Sequence, residues 1–296
     1  MTDLTRLAIV VVTYSPGDQL RRFVSSLDRH YPGARLILSD NGSTDGVPQE
    51  VVAARPNTEL LIDMSNPGYG AAVNAAARAA EGSLDWLLVC NPDVELAEGS
   101  IEALRAALEN DSRAASAGPR IFNTDGSVYP SARQLPSFRV GIGHALFVNS
   151  WPGNPWTRRY LRSDVSQSDS IAESGWLSGA CLLLRLRPFA DIGGFDDDFF
   201  MYFEDVDLAR RLGDAGWVNL FVPDAHVLHV GGVTANQHRK RTLRAHHESA
   251  YLYLRKKYPH VWLRPVLWAV RAALSIRLHT ALRRASKSAR QAPYPS

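Results

Sequence analysis

The chain predicts an α/β fold: a mostly parallel, Rossmann-like sheet flanked by helices, followed by a basic helical appendage. Three observations carry this. Over residues 1–120, short apolar runs alternate with amphipathic or Ala-rich segments, with Gly, Pro, Asn and Asp clusters between them. The runs are continuously apolar rather than alternating, as expected of strands covered on both faces. The charge is lopsided: residues 238–296 carry a net +13 with Glu248 as their one acid, whereas residues 1–237 carry a net −10.

In order, Leu7–Thr13 (LAIVVVT) reads as the first strand. Ser15-Pro16-Gly17 breaks it, and Gln19–His30 follows as a helix with Leu20, Phe23, Val24 and Leu27 on one side. Arg35–Ser39 is the second strand, Asp40–Gly46 a turn, and Thr44 or Asp45 the cap of the next helix. Glu59–Ile62 is the third strand, and Asn66–Gly70 turns into the helix Ala71–Ala80. Asp85–Cys90, Ile101–Leu108 and Ala115–Pro119 are a strand, a helix and a strand. Residues 121–175 are rich in Pro, Ser, Arg and aromatics without clear period, and Trp151, Trp156 and Tyr160 favour an ordered loop or lid. Trp176–Leu184 returns to a strand pattern, Asp205–Gly213 to a helix and Trp217–Val222 to a strand, and from Leu243 the chain reads as helices. This divides it into a domain at 1–240, with 121–175 as its lid, and a basic tail at 241–296.

With 296 residues and 45% hydrophobic content, the chain can bury a full core. Cys90 and Cys181 sit in apolar runs and read as reduced, buried thiols of a cytosolic protein. The N-terminus enters a strand without an apolar leader, which argues against secretion. No stretch reaches the ~20 apolar residues of a membrane span.

In parallel sheets ligands bind beyond the carboxyl ends of strands. Thr13, Asp40, Asn66 and Asn91 all fall there and are expected to line one crevice. Asn91-Pro92-Asp93 offers oxygen ligands to Mg²⁺ or Mn²⁺; its bland reading is a turn and helix cap. Asp40-Asn41-Gly42-Ser43-Thr44-Asp45-Gly46 is either a base- or ribose-binding loop or an ordinary Asx turn. Asn66-Pro67-Gly68-Tyr69-Gly70 precedes a helix start that suits an anion, without the Lys of a Walker A loop.

Glu204-Asp205-Val206-Asp207 is the strongest feature. Carboxylates at a helix start favour the dipole, but that does not require the aromatic collar Phe199, Phe200, Tyr202 and Phe203. Acids against apolar walls are poised to have the shifted pKa a general base needs. Asp207 points to another face and reads as structural. His226 and His229 follow the last strand; Gly231-Gly232 favours His229 as a ligand, and zinc lacks a third soft ligand. In the tail, Trp262, Val266, Leu267, Val270, Leu274 and Leu278 recur every three or four residues among arginines, the pattern of a helix on an anionic membrane surface. The alternative is a helix docked on the acidic body. Nucleic acid is disfavoured, because no binding motif or aromatic-basic interleaving is present.

Val11-Val12-Thr13-Tyr14, Asp40–Gly46, Asn66–Gly70, Asn91-Pro92-Asp93-Val94, Gly193-Gly194-Phe195-Asp196 and Phe203–Leu208, in this order, resemble the motifs of family 2 glycosyltransferases of the GT-A fold. Asp125–Arg133, Asn154-Pro155-Trp156-Thr157 and Gly175–Gly179 resemble more narrowly the bacterial rhamnosyltransferases within it. The resemblance implies that Thr13, Tyr14 and Asp40 hold the base and ribose of a nucleotide sugar, with Gly68, Gly70 and Asn74 near the ribose and phosphates. Asp93 would bind Mg²⁺ or Mn²⁺, with His229 as a further ligand. Asn91 stands where the family has its first Asp, which removes one charge and implies a weaker, substrate-dependent cation site. Asp205 would be the base, Glu204 its runner-up, and Trp176 and Ser178 would meet the acceptor or donor sugar.

The implied reaction is inverting transfer of L-rhamnose from dTDP-rhamnose to a polyprenyl-diphosphate-linked GlcNAc acceptor, on the cytoplasmic face of the plasma membrane. Another nucleotide sugar or acceptor is the near alternative, and a homo-oligomer is left open. A nucleotidyltransferase would need a basic Gly-rich loop after the first strand, and Tyr14–Asp18 holds no Lys or Arg. A non-catalytic nucleotide binder would not need both Asp93 and Asp205.

Overall fold

The computed structural model describes residues 4–80, 84–136, 155, 165–231 and 239–291. The proposed lid residues Trp151, Trp156 and Tyr160 lie outside them, as does Gly232.

The first half builds as its patterning dictates. Strands β1 (Leu7–Thr13), β2 (Arg35–Asp40), β3 (Thr58–Ile62) and β4 (Trp86–Cys90) alternate with helices α1 (Asp18–His30), α2 (Val47–Ala54) and α3 (Tyr69–Ala79). All pairings among these four strands are parallel. Because successive strand residues point to opposite faces, Leu7, Ile9 and Val11 pack into one core with Leu20, Phe23 and Leu27 of α1. Ala8 and Val10 pack into another with Val73, Ala76 and Ala77 of α3. Both faces are covered, which is why the strands read as unbroken apolar runs. The cap of α2 is Gly46 in the left-handed region, rather than Thr44 or Asp45. Asp45 instead accepts the N–H groups of Gly17 (2.8 Å) and Val47 (3.2 Å).

The second half departs from the expected boundaries. After β5 (Val94–Leu96) and α4 (Ser100–Asn110), β6 runs from Ala114 to Asn123. The expected irregular region holds the short strands β7 (Val128–Tyr129), β8 (Ala132–Arg133) and β9 (Ala172–Ser174). β10 (Trp176–Leu177) and β11 (Cys181–Arg185) replace a single strand, because Ser178-Gly179-Ala180 turns between them. Helices α5 (Leu186–Asp191) and α6 (Glu204–Asp214) precede β12 (Val218–His229), which continues well past Val222. The main sheet has the order β3-β2-β1-β4-β11-β6-β12-β5, while β8 and β10 form a separate ribbon. β11 is antiparallel to both neighbours, and β12 runs parallel to β6.

The tail begins with α7 (Arg239–Lys257), then a 3-10 turn at Val261–Leu263 and α8 (Arg264–Gln291). α7 is docked on the body, the alternative weighed above for the whole tail. Tyr253 is fully buried with Phe199 and Val206. Lys256 pairs with Asp196 and Asp198, both at 2.6 Å, and Ser249 donates to the carbonyl of Met201 at 2.8 Å. α8 packs on α7. Leu267, Val270, Leu274 and Leu278 form its less exposed line, so that stripe serves helix packing. A different apolar set faces outward: Val261, Trp262, Trp268 and Ile276 are each more than 60% exposed. Among the described residues no helix is long and apolar enough to cross a membrane.

Candidate active site

Two strand ends form the first wall. Thr13 and Asp40 close β1 and β2 in register, and the Thr13 hydroxyl donates to Asp40 Oδ1 at 2.6 Å. Asp40 Oδ2 accepts the N–H of Ser43 at 2.9 Å, and the Ser43 hydroxyl donates to Oδ1. Both Thr13 and Asp40 are buried, while Tyr14 beside them is half-buried. Asn41 donates from Nδ2 to the carbonyl of Gly68 at 3.2 Å and keeps a buried Oδ1 without a donor.

Gly68 has φ 105°, and a Cβ there would lie 2.4 Å from the carbonyl oxygen of Phe200. That carbonyl accepts the N–H of Tyr69 at 3.0 Å. Gly70 is pressed on Phe195, where a Cβ would sit 2.7 Å from the side chain. Asn74 donates to the Phe195 carbonyl and to Asp197 Oδ1, both at 2.8 Å, and accepts the Phe195 N–H at 2.9 Å. These three residues were expected near the ribose and phosphates. Gly70 and Asn74 are instead committed to holding the Gly193–Asp197 loop against α3. Asn74 thus engages both amide donors and its carbonyl oxygen within the protein, a contact that positions this loop beside the Gly68 turn.

Asp93 and His229 meet through sheet register. β12 runs antiparallel to β5 with His229 opposite Val94, and the N–H of Val230 donates to the carbonyl of Asp93 at 2.9 Å. His229 Nε2 therefore lies 3.2 Å from Asp93 Oδ1. The approach lacks hydrogen-bond geometry, which leaves Oδ1 a buried oxygen without a donor. A buried carboxylate oxygen without a donor, set 3.2 Å from an imidazole nitrogen, is compatible with two ligands of one cation. Asn91 adjoins them, its N–H bonded to the Ala180 carbonyl at 2.8 Å. Among the described residues no group of three His, Cys, Asp or Glu forms a metal cluster. His226 does not join the pair: its ring packs against Phe122 at 5.4 Å.

Glu204 and Asp205 start α6 behind Tyr202 and Phe203, which both have positive φ (68° and 65°). Non-glycine residues in this region carry strain and concentrate at functional sites. Asp205 Oδ2 accepts the N–H of Gly179 at 3.0 Å and Oδ1 that of Val206 at 2.8 Å. Glu204 Oε2 is buried without a donor. Burial, then the charge of Asp205, push the Glu204 carboxyl up to about 8. Burial also raises Asp205, while the N–H groups of Gly179 and Val206 pull it down. The N–H donors on Asp205 favour placing the negative charge of the pair there, while burial disfavours a charge on Glu204. Asp207 is fully buried and ion-paired with Arg210 and Arg211, a structural role on the other face.

The two acidic centres converge through adjacent residues. Gly179 bonds Asp205, and Ala180 bonds Asn91; Tyr69 ties in as well, donating from its hydroxyl to the Gly179 carbonyl at 2.6 Å. Tyr129, absent from the sequence reading as a site residue, stands between them. Its ring packs on that of His229 at 5.7 Å, and its hydroxyl is raised by burial first and also by the charges of Asp205 and Asp93. Its run Asp125–Arg133 carries the rhamnosyltransferase resemblance, but nothing local marks a two-residue strand beside two carboxylates. Ser178 lies on the same turn, its N–H bonded to the Ser131 carbonyl at 2.8 Å. Trp176 packs at the edge of the Phe199–Val206–Tyr253 cluster.

The family profile of glycosyl transferase family 2 matches residues 8–171. The chain belongs to that family. Over 98% of its length it is 44% identical to N-acetylglucosaminyl-diphospho-decaprenol L-rhamnosyltransferase of Mycobacterium tuberculosis, covering 97% of that protein. It is 24% identical to rhamnosyltransferase WbbL of Escherichia coli K12, over 84% of this chain and 92% of that one. Among solved structures, the mannosyltransferase PcManGT of Pyrobaculum calidifontis, in complex with GDP-Man and Mn2+, aligns with 100% of this chain and 79% of its own. It does so at a TM-score of 0.59 and 16% identity, a likeness of fold. As a family 2 glycosyltransferase, the protein is an enzyme whose α/β sheet is the expected mostly parallel one.

Proposed function

We propose that this glycosyltransferase moves L-rhamnose from dTDP-rhamnose to a polyprenyl-diphosphate-linked GlcNAc acceptor in cell-wall linker synthesis. The observation that carries the reading is the 44% identity to the M. tuberculosis rhamnosyltransferase across nearly all of both chains. In this reading Thr13, Tyr14 and Asp40 hold the nucleoside and the Gly68 turn approaches the phosphates. Trp176 and Ser178 line the sugar side.

Asp205 is the base. Its N–H donors favour the charge of the pair on it, and burial strengthens it as a proton acceptor. It takes the proton of the acceptor hydroxyl as that oxygen attacks the anomeric carbon from the face opposite the nucleotide. A single displacement through an oxocarbenium-like transition state inverts the anomeric centre. Burial of Glu204 disfavours a second negative charge beside the base. Asp93 and His229, with Asn91 beside them, would hold Mg²⁺ or Mn²⁺; that cation supplies positive charge to the departing nucleoside diphosphate.

The division at about residue 240 is kept, with α7 as a docked strap, and the 3-10 turn and α8 presenting exposed Trp262, Trp268 and Ile276 among arginines. These support peripheral attachment to the anionic inner face of the plasma membrane, where a lipid-linked acceptor resides. The test is a donor panel of dTDP-rhamnose, UDP-galactose, UDP-glucose and GDP-mannose with a polyprenyl-diphosphate-GlcNAc acceptor, with Mg²⁺, with Mn²⁺ and with chelator. Product from dTDP-rhamnose and a divalent cation is expected; preference for another donor would overturn the sugar assignment.

A further inference from the structure

A cavity of about 460 Å³ opens between the segment Asp198–Phe203 and the first half of α7. Phe200, Arg241, Arg244, Leu252, Asp198 and Glu248 line it. The catalytic reading uses none of them, yet Phe200 is a shared wall. Its backbone closes the Gly68 turn, and its ring faces Arg241, whose guanidinium lies 4.7 Å from the ring centroid.

The charge balance favours an anion. Arg241 and Arg244 are three residues apart and so on one side of α7. Asp198 is spent on Lys256 at 2.6 Å, which leaves Glu248 as the opposing carboxylate against two guanidiniums. Arginine forks match phosphate oxygens, and the aromatic and Leu252 walls suit an adjoining apolar chain. The cavity is also fixed to the base. Ser249 on its wall holds the carbonyl of Met201, and the rings of Tyr202 and Phe203 pack on His246 at 5.4 and 5.6 Å. Phe203 is the cap of the helix that begins Glu204-Asp205. Phe200 is five positions from Asp205, so this wall of the cavity lies at most about 18 Å of chain from the base.

We propose that the cavity binds the diphosphate of an isoprenoid-diphosphate acceptor, with Arg241 and Arg244 as its ligands. This deepens the reading of the acceptor given above and rests on it for the sugar alone. The probe is farnesyl diphosphate, titrated calorimetrically into the full chain in saturating dTDP and Mg²⁺ so that the donor site is filled. Binding to the wild type is expected, with at least a tenfold loss in the Arg241→Ala/Arg244→Ala variant and tightening in Glu248→Gln. In turnover, the double variant should raise the KM for the lipid-linked acceptor about as much and leave the donor KM unchanged.

No binding by the wild type, displacement by dTDP, or equal affinity in the double variant overturns the site. So does a variant that loses only binding to anionic vesicles, which would assign the arginines to the lipid surface. If the wild type binds farnesyl diphosphate through these arginines but transfers no rhamnose, the donor assignment fails and the site stands.

Discussion

The amide of Gly179 donates to Asp205 Oδ2 at 3.0 Å, while the carbonyl of the next residue, Ala180, accepts the N–H of Asn91 at 2.8 Å. One turn between β10 and β11 therefore ties Asp205 to the Asn91–Asp93 corner, although Asp93 and Asp205 are 112 positions apart in sequence. Replacing Asp205 by Asn keeps an oxygen for Gly179 and removes the proton acceptor. The expected result is a kcat about 10²–10⁴-fold lower, with donor affinity by calorimetry nearly unchanged. Full turnover in this variant would count against Asp205 as the base.

Asp93 and His229 are opposed at 3.2 Å with a buried oxygen left over. With a cation between them, His229→Ala should raise the Mn²⁺ concentration for half-maximal activity by roughly 10–100-fold, the range found for groups that support a metal. The thermal shift that Mn²⁺ gives the wild type in the presence of dTDP should shrink in parallel. An unchanged metal titration would remove His229 from the site.

Glu204 links the site to stability. Its pKa rises from 4.5 to about 8 in the fold, chiefly through burial and next through the charge of Asp205. The folded chain thus binds more protons than the unfolded chain between these values. This contribution is complete below pH 4.5 and is lost as pH rises through about 8. Glu204→Gln keeps the shape and cannot ionise. It should be more stable than the wild type by about 1–3 kcal/mol at pH 8, and by much less at pH 5, as read by urea titration at both values. A constant difference across pH would show that Glu204 is not held neutral.

The parallel half of the fold was legible because each strand there is covered on both faces and each helix carries its own period. The elements missed have no such local signature. β5 has three residues, and β12 passes Val222 only by bulging around Pro223, Asp224 and Ala225, a register shift that the sheet supplies and the residues do not advertise. That same shift brings His229 opposite Val94, so the pairing of His229 with Asp93 depends on long-range register. Likewise the docking of α7 rests on Tyr253 entering a cluster with Phe199 and Val206, among neighbours that read simply as basic. Asp205 could be named from its aromatic collar, Phe200 included, and Asp93 from its place after a strand; the place of Tyr129 beside His229 could not.

Gly68 tests that supporting layer. Its φ of 105° and the 2.4 Å between a built Cβ and the Phe200 carbonyl oxygen exclude any side chain without movement of rigid backbone. Gly68→Ala should cost about 2–4 kcal/mol, and it should push Phe200 away from the Tyr69 N–H. Because Phe200 leads into Glu204-Asp205, kcat should fall together with stability. A control such as Gly213→Ala, whose Cβ meets nothing within 4 Å, should leave both nearly intact.

The tail offers a prediction that separates packing from membrane contact. Leu267 is 5% exposed whereas Trp262 and Trp268 are 73% and 67% exposed, so the two sets of apolar residues do different work. Leu267→Ala should lower the melting temperature through loss of a buried side chain. Trp262→Ser/Trp268→Ser should leave melting nearly unchanged and weaken sedimentation with vesicles containing phosphatidylserine. Arginines near such a surface contribute about 1 kcal/mol each, and salt screens them. Binding by the wild type should therefore fall as sodium chloride rises, and Arg264→Gln/Arg277→Gln should reduce both the affinity and its salt dependence. If the tryptophan variant binds vesicles as well as the wild type, the exposed face of α8 does not rest on lipid.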